Sequence, residues 1–396
     1  MKLKNLYQVY SEAEIRGWES YYRIPIYPSK LFNGVVREES ERCMDFIFRH
    51  FESGRKEAVV RTEFYEQYEK QGKHTHTVNL FLLGLLFEDL FATELKKDVS
   101  RLIPNTEEWF VDKEFKYSWF LSCLYHDIAS CVEHIEKGNR VRTLNGYLKK
   151  NDMKDSPYKQ RPMKNGVKLL RFPESLIRNY FRYRCANKSF DHGIVGGYYL
   201  FEYTKKNFQD KTSGKELPYI DQDGISWRRE HLDHFAYIAD SIICHNLWTV
   251  EKTDEKDAEI YSKYGLYELV LSEEKQKLSL EKYPLQFMLC LLDSIEPVKR
   301  FSGMSAKEVL ENISMVQKEK TIQITWSDEL KKQDGFWDWM KNISSLEKWM
   351  NVQVSSCEAG YDGCGLSIRI NAHKEKARLN DEYRWYEQTR HNRYEE

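Results

Sequence analysis

The 396-residue chain is long enough for one large core or for two or three domains, and its 61 Lys plus Arg against 62 Asp plus Glu leave a formal net charge of −1. Such a balance argues against a protein that coats nucleic acid or an anionic membrane surface. The longest apolar run, residues 80–87, falls far short of the roughly 20 residues of a membrane span, and Met1-Lys2-Leu3-Lys4-Asn5 leads into polar sequence without the apolar centre of a signal peptide.

The expected setting is therefore cytoplasmic, with no membrane partner. Eight scattered cysteines without a CxxC pair read as reduced thiols buried as small apolar residues. Cys357 and Cys364, which flank a Gly-rich turn, are the one candidate disulfide.

Residues 1–73 mix aromatics with charges around the turn-like Arg23-Ile24-Pro25-Ile26-Tyr27-Pro28, and read as an arm with a charged helix near 36–51, packed on the main domain. From His74 the pattern changes. Val78, Leu82, Leu85, Phe87, Leu90 and Phe91 recur at three- and four-residue spacings in a segment apolar on most faces, which predicts a central, buried helix. Pro104 and Asn105 punctuate, and a second helix is expected over 114–136, running smoothly through Ile128-Ala129-Ser130.

Residues 138–173 are polar, with Pro157, Pro162 and Pro173, and read as an insertion of loops and short helices. A basic helix covers 175–184. The small residues of Asp191-His192-Gly193-Ile194-Val195-Gly196-Gly197 let a further helix lie close against a neighbour. A helix over 232–246 ends in Cys244-His245-Asn246, a charged excursion fills 251–282, and Pro284 stands at a first helical position ahead of Leu285 through Asp293.

The main body is thus placed at residues 74–317. Beyond 318 the composition shifts to a strand over 321–326, an aromatic-rich helix over 336–350 and two strands, 352–354 and 366–370, flanking a Gly-rich turn. The expected fold is mainly α, a helical bundle with a small C-terminal α+β appendage at 318–373 and a charged helix or tail at 374–396.

The chemistry concentrates at His126-Asp127, an adjacent pair inside the apolar run Leu121-Ser122-Cys123-Leu124-Tyr125-His126-Asp127-Ile128. Burying a carboxylate costs several kcal/mol unless a positive group answers it, and a metal ion is one such answer. Four other residues, each at an end of or within a separate helical segment, could complete its shell: His76, His192, His245 and Asp293. One metal-competent residue from each of several helices is the arrangement of a site in a bundle core. His74 competes with His76 for the first place. His134 lies two turns past His126, behind the ligands or at the surface, while His231 and His234 read as ordinary residues.

The order His, His-Asp, His, His, Asp, with its flanking residues His76-Thr77-Val78-Asn79-Leu80, Leu124-Tyr125-His126-Asp127-Ile128, Asp191-His192-Gly193, Ile243-Cys244-His245-Asn246 and Pro284 to Asp293, resembles the HD-domain superfamily of metal-dependent phosphohydrolases. The likeness spans residues 74–300. It implies His76, His126, Asp127, His192, His245 and Asp293 as metal ligands, with Asp127 bridging and His126 and Asp127 catalytic. One or two divalent ions are implied, with Fe, Mn or Zn favoured by mixed nitrogen and oxygen ligands and Mg also suited. The activity implied is hydrolysis of a phosphoester by a metal-activated water.

The substrate implied is a nucleotide or related small phosphorylated molecule. Arg182, Arg184, Lys188 and Arg300 are candidates to bind its phosphate, with Arg178 and Lys299 nearby in sequence. Two departures stand out: Ile128-Ala129-Ser130-Cys131 replaces the Ile-Gly-Tyr-Pro of many relatives, and the Gly-Tyr-Pro signature of cyclic-dinucleotide phosphodiesterases is absent. The same ligand order resembles di-iron oxygenases of this fold, and a nucleotide sensor without activity is a third reading. Either extra segment, 138–173 or 318–373, could serve as a lid or as the interface of a homo-oligomer.

Overall fold

A helix that is apolar on every face has to be surrounded, and the segment Pro284–Ile295 is such a helix. The computed structural model describes residues 4–11, 73–103, 118–130, 133, 141–159, 163–164, 167–220, 226–271, 277–301, 303–359 and 363–370. The helices that position the site are α1 (Lys73–Leu86), α2 (Glu88–Leu102), α3 (residues 118–126), α4 (Glu174–Ala186), α5 (His192–Thr212), α6 (Glu230–His245), α7 (Pro284–Ile295) and α8 (Phe336–Trp349).

Helix α7 opens with Pro284 at its first turn, where the missing N–H costs nothing, and buries every residue except Asp293 and Ser294. It packs against α1, α2, α6 and α8. Leu285, Phe287, Met288, Leu289, Leu291 and Leu292 are fully buried, each worth about 1.5–3 kcal/mol over an exposed position. Asp293 is therefore a carboxylate carried on the last turn of an otherwise largely buried helix.

Helices α5 and α6 form the closest pair. Asp191 caps α5, its Oδ1 accepting from the Ile194 N–H at 2.8 Å, which puts His192 on the first turn. Glycines permit the close approach. A Cβ on Gly193 would lie 3.0 Å from the His245 ring and 2.8 Å from the Ile242 carbonyl, and one on Gly196 would lie 2.5 Å from the Tyr125 carbonyl. The backbone ahead of His126 and the end of α6 are thus drawn onto one face of α5.

The C-terminal unit is a four-stranded antiparallel sheet of β1 (Ile313–Lys318), β2 (Thr321–Trp326), β3 (Val352–Ala359) and β4 (Gly363–Ile370), in the order β1-β2-β4-β3. Ile322, Ile324 and Ile368 point inward with period two. Helix α8 contributes buried Phe336, Trp339, Met340, Ile343 and Leu346, and packs on both β3 and α7. The sheet is thereby braced against the helix that carries Asp293.

Several expectations need correction. The helix expected to run smoothly from 114 to 136 stops at His126, and residues 127–130 form a turn closed by the Ser130 N–H on the Asp127 carbonyl at 2.9 Å. Adjacent helical residues point about 100° apart, so leaving the helix at Asp127 frees its carboxylate to swing toward more than one partner. The first helix likewise breaks at Phe87, a fully buried ring, and restarts as α2.

The sheet begins at Ile313, ahead of residue 318, because Val316 on the outer face hides the alternation of β1. Cys357 is a free thiol whose backbone partner across the sheet is Gly365, not Cys364. Within 138–173 lie a short helix, Leu144–Lys150, and a two-residue strand pair. Within 251–282 lies the helix Glu255–Lys263. The helix expected near 36–51, the tail at 374–396 and His134 fall outside the described residues. Among the described residues no helix is long and apolar enough to cross a membrane.

If Gly196 sets the approach of α5 to the Tyr125 carbonyl, Gly196→Ala forces one backbone to move. The expected outcome in chemical denaturation is a loss of about 1–3 kcal/mol, whereas an unchanged midpoint would show that the two segments yield freely.

Candidate metal centre

Each side chain of the centre sits where an element begins or ends. His76 lies in the first turn of α1, His126 is the last residue of α3 with Asp127 just beyond, His192 opens α5 and His245 closes α6. Asp293 projects from the last turn of α7. His76 and His126 are fully buried and Asp127 is 3% exposed.

Two histidine pairs face each other across Asp127. The Nε2 atoms of His76 and His126 are 3.1 Å apart, and those of His192 and His245 are 3.3 Å apart. Asp127 turns Oδ2 to the first pair, at 3.7 and 3.6 Å, and Oδ1 to His192 at 3.2 Å. Asp293 Oδ1 lies 3.0 Å from His76 Nε2 and 3.5 Å from His126 Nε2. His76, His126 and Asp127 form one group of potential ligands, and Asp127, His192 and His245 a second. With metal–nitrogen bonds of about 2.1 Å, separations of 3.1 and 3.3 Å correspond to angles of roughly 95–105° at one ion. The donor set therefore fits a divalent ion in each half.

The opposite edges of the four rings decide their tautomers. His76 Nδ1 donates to Glu296 Oε2 at 2.6 Å, and His192 Nδ1 to Glu133 Oε1 at 2.6 Å. His126 Nδ1 donates to the Cys123 carbonyl at 2.7 Å, and His245 Nδ1 to the Ile242 carbonyl at 2.6 Å. Carbonyls only accept, so Nδ1 of His126 and Nδ1 of His245 each carry a proton, and all four rings turn Nε2 inward. Nε2 atoms converging beside carboxylates are a donor set that suits a cation, and a carboxylate behind a metal-bound imidazole is a recurrent support.

The supporting carboxylates are themselves anchored. Glu296 is fully buried and accepts from the N–H groups of Val298 at 2.9 Å and Lys299 at 3.3 Å. Glu133 also lies 3.5 Å from Arg184, which in turn approaches Asp191 at 3.8 Å. Asn246 donates to Asp191 Oδ2 at 2.9 Å, tying the end of α6 to the start of α5.

Charge follows from these contacts. Burial raises the Asp293 carboxyl, but the Lys299 ammonium in direct contact with it, together with the His126 and His76 rings, holds it well below the usual carboxylate range. Lys299 Nζ also lies 3.3 Å from His76 Nε2. Burial disfavours a charged His192, yet its bonds to Asp127 and Glu133 outweigh that and carry it up to about 10. His245 is pushed down to about 3 by burial and by the nearby His192 and His126. The chain's own cations, Lys299 in one half and protonated His192 in the other, thus meet the carboxylates, and an incoming ion has to displace a proton from His192.

Comparison with protein-family models, with curated proteins and with solved structures finds no match.

All six residues expected as ligands come together here. The side chain of His74 lies outside the described residues. Of the expected phosphate contacts, Arg182 and Lys188 are exposed and Arg300 is half-buried, while Arg184 is buried behind His192 and engaged with Glu133 and Asp191. His234 bonds Ser118 Oγ at 2.6 Å, away from the ligand groups, and His231 Nδ1 lies 3.0 Å from the backbone of Arg228.

Sequence reasoning missed Glu133 and Glu296. Glu296 had a usable signal, since it follows Asp293 by three residues and so shares its side of a helix. Glu133 had none, because the chain between it and His126 is not a continuous helix.

Two outcomes check the centre. Replacing Glu296 by Gln is expected to weaken metal binding about 10- to 100-fold by calorimetry, and unchanged affinity would remove Glu296 from the site. Because His192 keeps its proton up to a pH of about 10, metal binding at neutral pH should release about one proton and weaken as pH falls. Calorimetry in buffers of different ionisation enthalpy reads that proton directly.

Proposed function

We propose that the chain is a metal-dependent phosphohydrolase of the HD type, acting on a small phosphorylated molecule. The observation that carries this reading is the placement of Asp127, whose two carboxylate oxygens face two separate histidine groups. A carboxylate so placed suits a shared ligand between two ions. His76, His126 and Asp293 would complete one half, and His192 and His245 the other.

Divalent ions bound there would supply a Lewis acid for a phosphoryl oxygen and a water acidified toward neutral pH. The protein's own part is orientation and charge. Glu296, Glu133 and the two backbone carbonyls hold the rings so that their Nε2 atoms converge. Lys299, poised on Asp293 and His76, is placed to turn its ammonium to a phosphoryl oxygen once an ion takes over those two side chains. Arg182 and Lys188 are exposed on and just beyond α4, and Arg300 adjoins Lys299, so these three are proposed as outer phosphate contacts. Arg184 is assigned instead to holding Glu133 and Asp191.

The ligands are nitrogen and oxygen atoms, with no thiolate in either group. That set favours Fe, Mn or Zn over Ca. It also serves oxygen activation at a di-iron pair, and Lys299 tilts the choice toward an anionic substrate.

A screen of nucleotides and other phosphoesters with Mn, Fe, Zn and Mg supplied separately, using Asp127→Ala as the blank, tests the proposal. Metal-dependent release of phosphate that falls at least about 1,000-fold in Asp127→Ala, roughly 4 kcal/mol of barrier, is expected. Oxygen consumption by an iron-loaded protein that releases no phosphate would replace it with the oxygenase reading, and unaltered metal content with no activity of either kind would leave a binding protein.

A further inference from the structure

Beside the metal centre stands a large aromatic residue that the ligand set does not use. Trp248 lies three residues past His245 and is 56% exposed, although its neighbours Leu247 and Cys244 are buried. An exposed indole is ordinarily free to turn. This one is held at its Nε1 and on one face, and its backbone is held at two further points.

Its backbone N–H donates to the Tyr180 hydroxyl at 3.1 Å, and its carbonyl accepts from the Tyr261 hydroxyl at 3.1 Å. Its indole Nε1 donates to Asn246 Oδ1 at 3.2 Å, the same Asn246 whose Nδ2 reaches Asp191 and lies 3.4 Å from His192 Nδ1. The Arg184 guanidinium lies 4.4 Å from the ring centroid and covers one face. Two of these partners, Asn246 and Arg184, also touch the groups that hold His192, so the indole and the metal centre share one rigid frame.

The surroundings continue the pattern. Tyr183 meets Tyr261 and Tyr264 edge to face at 5.2 and 5.4 Å, and the Arg182 guanidinium lies over Tyr264 at 5.7 Å. Tyr180 and Tyr183, on successive turns of α4, are 5.8 Å apart. These rings form one aromatic cluster against α4, and Tyr180 and Tyr261 within it hold the backbone of Trp248.

We infer that the Trp248 indole is a stacking platform for a planar heteroaromatic ring, such as a purine base, carried by the phosphorylated ligand of the metal centre. This rests on the proposed phosphohydrolase reading for the phosphate end but assigns the other end of the ligand. Every base has a π face, and an aromatic side chain held in place loses little entropy when one stacks on it. Arg184 beneath the ring serves as a positioning residue for the platform. An indole that merely sealed Arg184 from water would make no use of the bond from Nε1 to Asn246.

The test measures binding rather than turnover. Adenosine and ribose 5′-phosphonates, in which a methylene replaces the ester oxygen so that nothing is hydrolysed, are titrated into the Mn-loaded full chain by calorimetry and by intrinsic fluorescence. The expected result is tighter binding of the adenosine compound, with indole quenching. In Trp248→Ala this preference falls about 10- to 100-fold while ribose phosphonate binding stays unchanged, and Trp248→Phe keeps most of the preference. Equal binding of the two probes to the wild type, or equal losses for both in Trp248→Ala, would overturn the platform. Since no step depends on catalysis, absence of phosphatase activity with the adenosine preference intact would sink the hydrolase reading and leave this one standing.

Discussion

Four imidazole rings turn their Nε2 atoms inward around Asp127, and the rest of this structure serves to hold them there. Each ring is locked from behind by a group that can only accept a proton. The rings so held face Asp127 and Asp293, and Lys299 and the proton on His192 answer the charge of those two carboxylates in part. Asp127 sits between the two pairs, and a cation on either side would offset the cost of burying its charge.

The packing is subordinate to that demand. Helix α7 delivers Asp293 by burying nearly all its other residues, most of them apolar, so its position is set by the hydrophobic effect and its one carboxylate is carried along. Gly193 and Gly196 bring α5 against the end of α6 and the end of α3 at distances no side chain would allow. The C-terminal sheet bears on the site through α8, which packs on α7. Trp248 extends the same rigidity outward, since Asn246 and Arg184 belong both to its setting and to that of His192.

Much of this was legible in the amino-acid order because the responsible signals are local. Pro284 marks the start of α7, Asp191 ahead of His192 marks the start of α5, and alternation in Thr321 to Trp326 marks a strand. The ligand residues stand out as polar groups in apolar runs, which burial alone does not explain. What stayed hidden depends on contacts between distant segments. Nothing in Ile128-Ala129-Ser130 breaks a helix by propensity, yet the chain leaves the helix at Asp127, where the carboxylate is drawn between two histidine pairs. Glu133 carries no local signal and Glu296 only its spacing from Asp293, and folding sets them against His192 and His76. Arg184 reads as a free cation and is instead buried between two carboxylates.

The central claim is that Asp127 joins two metal positions, and X-ray anomalous diffraction from crystals of the Mn- or Fe-loaded chain tests it most directly. Two peaks about 3.5–4 Å apart are expected. One should lie about 2.0–2.2 Å from the Nε2 atoms of His76 and His126, the other as close to those of His192 and His245, with a different oxygen of Asp127 on each. A single ion bound away from Asp127, or no anomalous density among these six side chains at saturating metal, would contradict it.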